Sequence, residues 1–146
     1  MERWKQRAVT AIQLLEVRER AADGLLVQIR ELEADNVGVS GIDTRKVPVQ
    51  GGGNAQERRL AAYLDRKATL EAKERALREQ VKHTRCVLDS LPLPERVVLT
   101  TLYGSDQRRG DAVRSLEFQL HMSQASIYRL RERALWAFAY GMGYVG

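Results

Sequence analysis

The sequence predicts an all-α fold: a long antiparallel helical hairpin, coiled-coil-like, followed by a C-terminal helix-turn-helix. Three observations predict it. Apolar residues recur at alternating three- and four-residue steps over two long stretches. A segment punctuated by glycine and proline separates those stretches. After residue 91 the texture changes to three short amphipathic segments joined by tight turns. Aromatic residues are only 6% of the chain, so the packing must be mostly aliphatic, which suits helices better than a β-sandwich. The expected division is residues 1–90 for the hairpin, with its connecting loop at about 36–54, and residues 91–146 for the head and a short tail.

Residues 2–35 read as one long helix. Trp4, Ala8, Ala11, Leu15, Ala22, Leu25, Ile29 and Leu32 form a heptad seam, with Arg18 as the polar interruption. Gly24 is the expected weak point, at ~1 kcal/mol relative to alanine, and the place for a bend. Residues 36–54, NVGVSGIDTRKVPVQGGGN, break the pattern, with short β-like runs at Val37 to Ile42 and Val47 to Val49. Asn54 is expected to cap the second long helix, residues 55–90. The stripe of that helix is Leu60, Tyr63 or Leu64, Leu70, Leu77, Val81 and Leu88, interrupted by Lys67, Glu74 and Thr84. Each long helix is apolar on one side only, so an antiparallel pair lets the stripes cover each other. Two helices make a thin core, and the stripes are expected also to meet another subunit or the head.

The third region starts at LPLPERVVLTTLYG. Pro94 suits a first helical turn, and the apolar helix ends at Gly104. SDQRRG is a polar turn. A helix from Asp111 to about Leu120 follows, with Val113, Leu116 and Leu120 inward, and His121-Met122-Ser123 is a tight connection. The last helix runs from about Gln124 to Tyr140, with Ile127, Leu130, Ala134 and Phe138 inward. Trp136 and Tyr140 fall on the other side, where the chain's own long helices are expected to cover them, with a second subunit as the alternative.

Charge points to a partner. The pI is about 9.7 and the net charge +5, with the excess in residues 55–90 (+3) and 91–146 (+2). That favours a polyanion. One cysteine, Cys86, excludes an internal disulfide framework and fits a reducing cytoplasm. No apolar run approaches the ~18 residues that span a bilayer, and MERWKQRAVT lacks the apolar core of a signal peptide. No membrane partner and a cytoplasmic location are expected.

Catalytic and metal chemistry are not expected. His83, Cys86 and His121 are too few and too dispersed for a closed zinc site. No serine sits in a nucleophile-elbow context, and QGGGNAQ lacks the lysine and hydroxyl of a phosphate loop. The carboxylates are interleaved with Lys and Arg as solvated pairs. Neither an enzyme activity nor a cofactor is predicted.

LHMSQASIYRLRERAL, residues 120–135, carries the functional signal. Ser123 stands where an N-cap belongs. Gln124 and Ala125 then take the first two helical positions, Ile127 and Leu130 point inward, and Tyr128, Arg129, Glu132 and Arg133 point outward. A helix-turn-helix offers the N-terminal part of its second helix to the major groove. Ser123, Gln124, Ala125, Tyr128, Arg129 and Arg133 are therefore the expected DNA-binding residues of this helix. Gln can make paired hydrogen bonds to adenine, and Arg to guanine. Arg108, Arg109 and Arg114 are expected to hold phosphates, which positions the unit without specifying sequence. Taken alone, the stretch fits an exposed amphipathic helix with solvated arginines slightly better. The three short helices around the cap favour the DNA-binding reading.

Leu93, Pro94, Glu95, Arg96, Tyr103, Leu116, Leu120, Ser123, Ile127, Tyr128, Arg129, Ala134 and Leu135 resemble the pattern of region 4 of the sigma-70 family, over about residues 91–139. Over nearly the whole chain, the sequence also resembles small phage-encoded transcriptional regulators of the ArpU and RinA type. Gly51 to Asn54, Leu120 to Ser123 and the following Tyr-Arg carry that likeness. The resemblance implies a prophage or phage DNA-binding regulator, commonly an activator of late genes, working with bacterial RNA polymerase in the host cytoplasm. Two departures stand out. Glu117 replaces a small residue and is expected to tilt out or meet an arginine. Gln124 and Ala125 replace the charged pair that sigma factors use, so a −35 element is not implied as the target. The hairpin is expected to mediate a homodimer or hold a partner. The alternative function is a small terminase-like DNA-packaging protein that recognises phage DNA.

Overall fold

The computed structural model describes residues 2–43 and 52–146. Among the described residues the chain is all-helical, with α1 (Arg3–Gln13), α2 (Leu15–Asp43), α3 (Gly52–Ser90), α4 (Leu93–Tyr103), α5 (Arg109–Leu120) and α6 (Gln124–Gly141). They fall into two compact units: Met1–Arg18 with Glu79–Gly146, and Glu19–Arg78. The N-terminal helix thus belongs to the same unit as the C-terminal three. No described helix is long and apolar enough to cross a membrane.

In the first unit, α6 packs against α4, α1 and α5, and α4 packs against α5 and α1. The larger core takes Ala8, Ala11 and Ile12 from α1, Val87 and Leu88 from the end of α3, Leu99 and Tyr103 from α4, and Ala134, Leu135, Phe138 and Ala139 from α6. The alanines of α1 let its backbone approach α6 closely. A second cluster joins Val98, Leu116, Ile127 and Leu130, fastening α5 and the start of α6 to α4. Burying each large side chain contributes ~1.5–3 kcal/mol. Pro94 lies in the first turn of α4, where its missing N–H costs nothing, and Gly104 is the C-cap.

The second unit holds the middle of the two long helices. Ala22, Ile29 and Leu70 are buried, and Leu25, Leu32, Tyr63 and Leu77 are half-buried. Two of the stripe's polar interruptions carry ion pairs instead of apolar contacts. Lys67 Nζ lies 3.3 Å from Glu33. Arg78 lies 2.8 Å from both Asp23 and the Glu74 one turn before it. Moving up α2 from Asp23 to Glu33 means moving back along α3 from Arg78 to Lys67, so the two helices are antiparallel here. The hydrogen bond that Lys67 donates to Glu33 raises the Lys67 pKa, with further help from the neighbouring Tyr63 and from the charge of Glu33.

Several element boundaries differ from the sequence expectation. Residues 2–35 are not one helix: the path breaks at Leu14, while Gly24 stays helical within α2. Hydrogen bonds continue across the break, from Leu14 N–H to Thr10 C=O (2.9 Å) and from Arg18 N–H to Leu14 C=O (2.8 Å). The expected loop at 36–54 is shorter, because α2 continues to Asp43 and α3 starts at Gly52. Propagating an existing helix adds one hydrogen bond per residue without a new nucleation step, so weak helix formers are carried along. Val37 to Ile42 are therefore helical rather than β-like, while Val47 to Val49 lie outside the described residues. Asn54 is inside α3 and caps nothing. Leu60 and Leu64 are each 52% exposed, so Tyr63 is the inward member of that group. The helix expected from Asp111 starts two residues earlier, at Arg109, and leaves Asp111 in the first turn, where a carboxylate complements the helix dipole.

Candidate nucleic-acid interface

The candidate surface is built on the α5–α6 connection. Helix α5 ends at Leu120, and its C-cap His121 adopts the left-handed conformation (φ 52°, ψ 44°), uncommon for a residue with a Cβ, although histidine is among those enriched there. Two residues later Ser123 takes an extended backbone, and its Oγ accepts the N–H of Ser126 at 3.3 Å. The N-cap inferred from the sequence is present. The reversal is completed by the pairing of Leu116 with Ile127 and Leu130 across the small core.

This geometry sorts the expected site residues. Ser123, Gln124, Ala125 and Arg129 are exposed on the first two turns of α6. Tyr128 is half-buried, and the Arg131 guanidinium lies 5.0 Å from its ring centroid. Arg133 is exposed, and its Nε is 3.7 Å from the largely covered Glu95 carboxylate of α4. Met122, Ser126, Arg129, Leu130 and Arg133 border a hollow beside this face. Arg108, Arg109 and Arg114 are all exposed, before and along α5. Glu117 is half-buried and has no ion pair among the described residues, so of the two outcomes expected for it the arginine partner is not found and the side chain stays partly exposed.

Sequence reasoning missed the support behind this face. Glu132 is half-buried, and Lys5 of α1 binds its Oε2 at 2.5 Å. Arg131 Nη2 donates to Glu132 Oε1 at 2.9 Å. The Lys5 bond, and secondarily Arg131, hold the Glu132 carboxyl below its ordinary value against the opposing effect of burial. Arg131 Nε is the buried side-chain polar atom without a partner among the described residues. No local pattern announces this network, because Lys5 and Glu132 are far apart in the chain.

The tail is docked. Gly143 N–H bonds Tyr140 C=O at 3.1 Å and Tyr144 N–H bonds Ala139 C=O at 2.8 Å. With φ +79° at Gly143, this is a Schellman termination, in which glycine takes the left-handed position without a Cβ penalty. Tyr144 and Val145 turn back and pack against the larger core, as Trp4 and Val9 of α1 also do. Trp136 and Tyr140, expected to be covered, are instead 52% and 60% exposed. They stack on each other with centroids 5.4 Å apart.

The chain matches no protein-family model, no curated protein and no solved structure.

Proposed function

We propose that the chain is a sequence-specific DNA-binding transcriptional regulator whose α5, turn and α6 act as a helix-turn-helix of the sigma-region-4 kind. The observation that carries this reading is the first two turns of α6. Gln124, Ala125 and Arg129 are exposed together there, next to a tight turn that is capped by Ser123 and pinned by Ile127 and Leu130. In this reading α6 enters the major groove. Gln124 and Arg129 meet base edges, and Arg108, Arg109 and Arg114 hold the flanking backbone. The antiparallel α2–α3 pair is the hairpin, and its exposed Leu60 and Leu64 support self-association. The likeness to phage regulators of the ArpU and RinA type extends the proposal to activation of phage late genes with the host RNA polymerase.

Selection of bound sequences from random duplex DNA tests the reading. The parent is expected to enrich a defined site, and Arg129→Ala to bind that site ~1–3 kcal/mol more weakly with relaxed preference at one base pair. No enrichment at any salt concentration would overturn the proposal.

A further inference from the structure

A second basic surface lies on the first unit, away from the turn before α6. Arg3, Gln6, Arg7 and Thr10 of α1, Arg18 of the first turn of α2, and Tyr144 of the tail line an open hollow of about 440 Å³. Arg3, Arg7 and Thr10 recur at helical spacing on one side of α1, and Ala11, which also lines the hollow, lies between them and the buried Ala8 and Ile12. No carboxylate lines the hollow. Among the described residues, none of its three arginines is ion-paired. Other described cations are paired: Lys5 with Glu132, Lys67 with Glu33, Arg78 with Asp23 and Glu74, and Arg133 with Glu95.

The hollow is also organised. The Schellman turn at Gly143 delivers Tyr144 onto α1, and the Arg7 guanidinium stacks over that ring at 4.2 Å from its centroid. A stacked arginine keeps its N–H fork free while losing rotamer freedom, which is the state that suits recognition of phosphate oxygens. Gln6 and Thr10 add neutral donors. Three guanidiniums gathered without a counter-charge repel one another, and a bound polyanion removes that repulsion.

We propose that this hollow binds the phosphodiester backbone of duplex DNA, as a second contact beyond the base-reading segment. The inference rests on the DNA-binding reading above and extends its footprint. The Lys5–Glu132 pair sets the distance. Arg3 and Arg7 lie ~3 Å of helix rise to either side of Lys5 but on the opposite side of α1, and Arg129 lies about one turn from Glu132. With packed helix axes ~8–10 Å apart, the hollow is on the order of 20 Å from the reading residues. That is roughly six base pairs along a duplex, at about 3.4 Å each. Phosphates flanking the read site are therefore within reach of the same unit.

The test is the salt dependence of binding to the selected site, in a long duplex and in one trimmed on either flank. Each phosphate contact contributes ~0.9 to the slope of log K against log salt. Arg3→Gln/Arg7→Gln/Arg18→Gln is expected to flatten the parent's slope by about 2–3 on the long duplex, leaving base preference intact. Trimming the flank that meets the hollow is expected to flatten the parent's slope similarly and to leave the variant unchanged. The corresponding triple Lys variant, which keeps the charge, is expected to hold most of the slope and guards against misfolding of the Gln variant. An unchanged slope in the Gln variant, with the parent still binding its site, overturns the inference and spares the DNA-binding reading. Thermal protection by inorganic phosphate or an acidic peptide alongside an unchanged slope also overturns it, in favour of that ligand. A parent that binds no DNA overturns both.

Discussion

The Lys5 ammonium lies 2.5 Å from the Glu132 carboxylate, joining a residue in the first turn of α1 to the outer side of α6. The pair does for α6 what its apolar face cannot. Ile127, Leu130 and Phe138 set how deeply the helix is buried, and a pairing on its flank resists rotation about its axis. Arg131 then bonds the other oxygen of Glu132 and lies over Tyr128, so the support continues to the second turn of α6.

A pH dependence follows from this pair. Glu132 titrates below its ordinary value of 4.5 in the folded state because Lys5 and Arg131 favour its charged form. A carboxylate with a lowered folded pKa stabilises the fold above its unfolded value and loses that contribution as pH falls through the folded one. The stabilisation should be full at neutral pH and fade below about pH 4.5. The pair is partly exposed, so it should amount to no more than ~1 kcal/mol. Thermal melts of parent and Glu132→Gln should differ at pH 7 and draw together at the lowest pH the fold withstands, below 4.5. Curves that stayed equally separated at both pH values would show that the pair does not act through charge.

The capping hydroxyl gives a sharper local test. Ser123→Ala removes the acceptor for the Ser126 N–H, a loss of ~1 kcal/mol by analogy with other N-caps. Ser123→Asp should restore or exceed the parent, because a carboxylate also complements the helix dipole. Denaturant midpoints are the measurement, and equal midpoints for the Ala and Asp variants would remove the cap from the account.

Packing at the end of α6 makes a third prediction. A Cβ added at Gly141 would lie 2.7 Å from a methyl of Val87 on α3. Valine is stiff at χ1 and cannot swing away. Gly141→Ala should therefore destabilise by ~1–3 kcal/mol despite alanine's better helix propensity. Adding Val87→Ala should recover part of that loss. A double-mutant cycle measures the coupling, and strict additivity of the two changes would contradict the close approach.

Legibility in the sequence divided along range. The Ser123 cap and the inward set Ile127, Leu130, Ala134 and Phe138 were readable because each depends on neighbours within one or two turns. So were the buried seam positions Ala8, Ala11, Ala22 and Ile29. Ile12 was missed beside them, because its burial comes from α1 being wrapped by two partners rather than from one seam. The extension of α2 to Asp43 was hidden by residues of weak helix propensity that an established helix carries along. The Lys5–Glu132–Arg131 network and the hollow closed by Tyr144 join residues from opposite ends of the chain. No periodicity in a single stretch encodes a contact of that kind.

Oligomeric state provides the last prediction. Leu60 and Leu64 are one turn apart on α3 and half exposed, although both carry a stripe residue's chemistry. If they are the hairpin's self-association face, native mass spectrometry should find twice the 16.6 kDa chain mass. Leu60→Lys/Leu64→Lys should then give the single chain, because four lysines would face one another across a symmetric interface. The melting temperature at high dilution should change little, since neither leucine is buried in the single chain. A parent that is monomeric at all concentrations would leave the two leucines without this role. A ring of eight or more subunits would move the whole reading towards DNA packaging, since a regulator of paired half-sites needs only two copies.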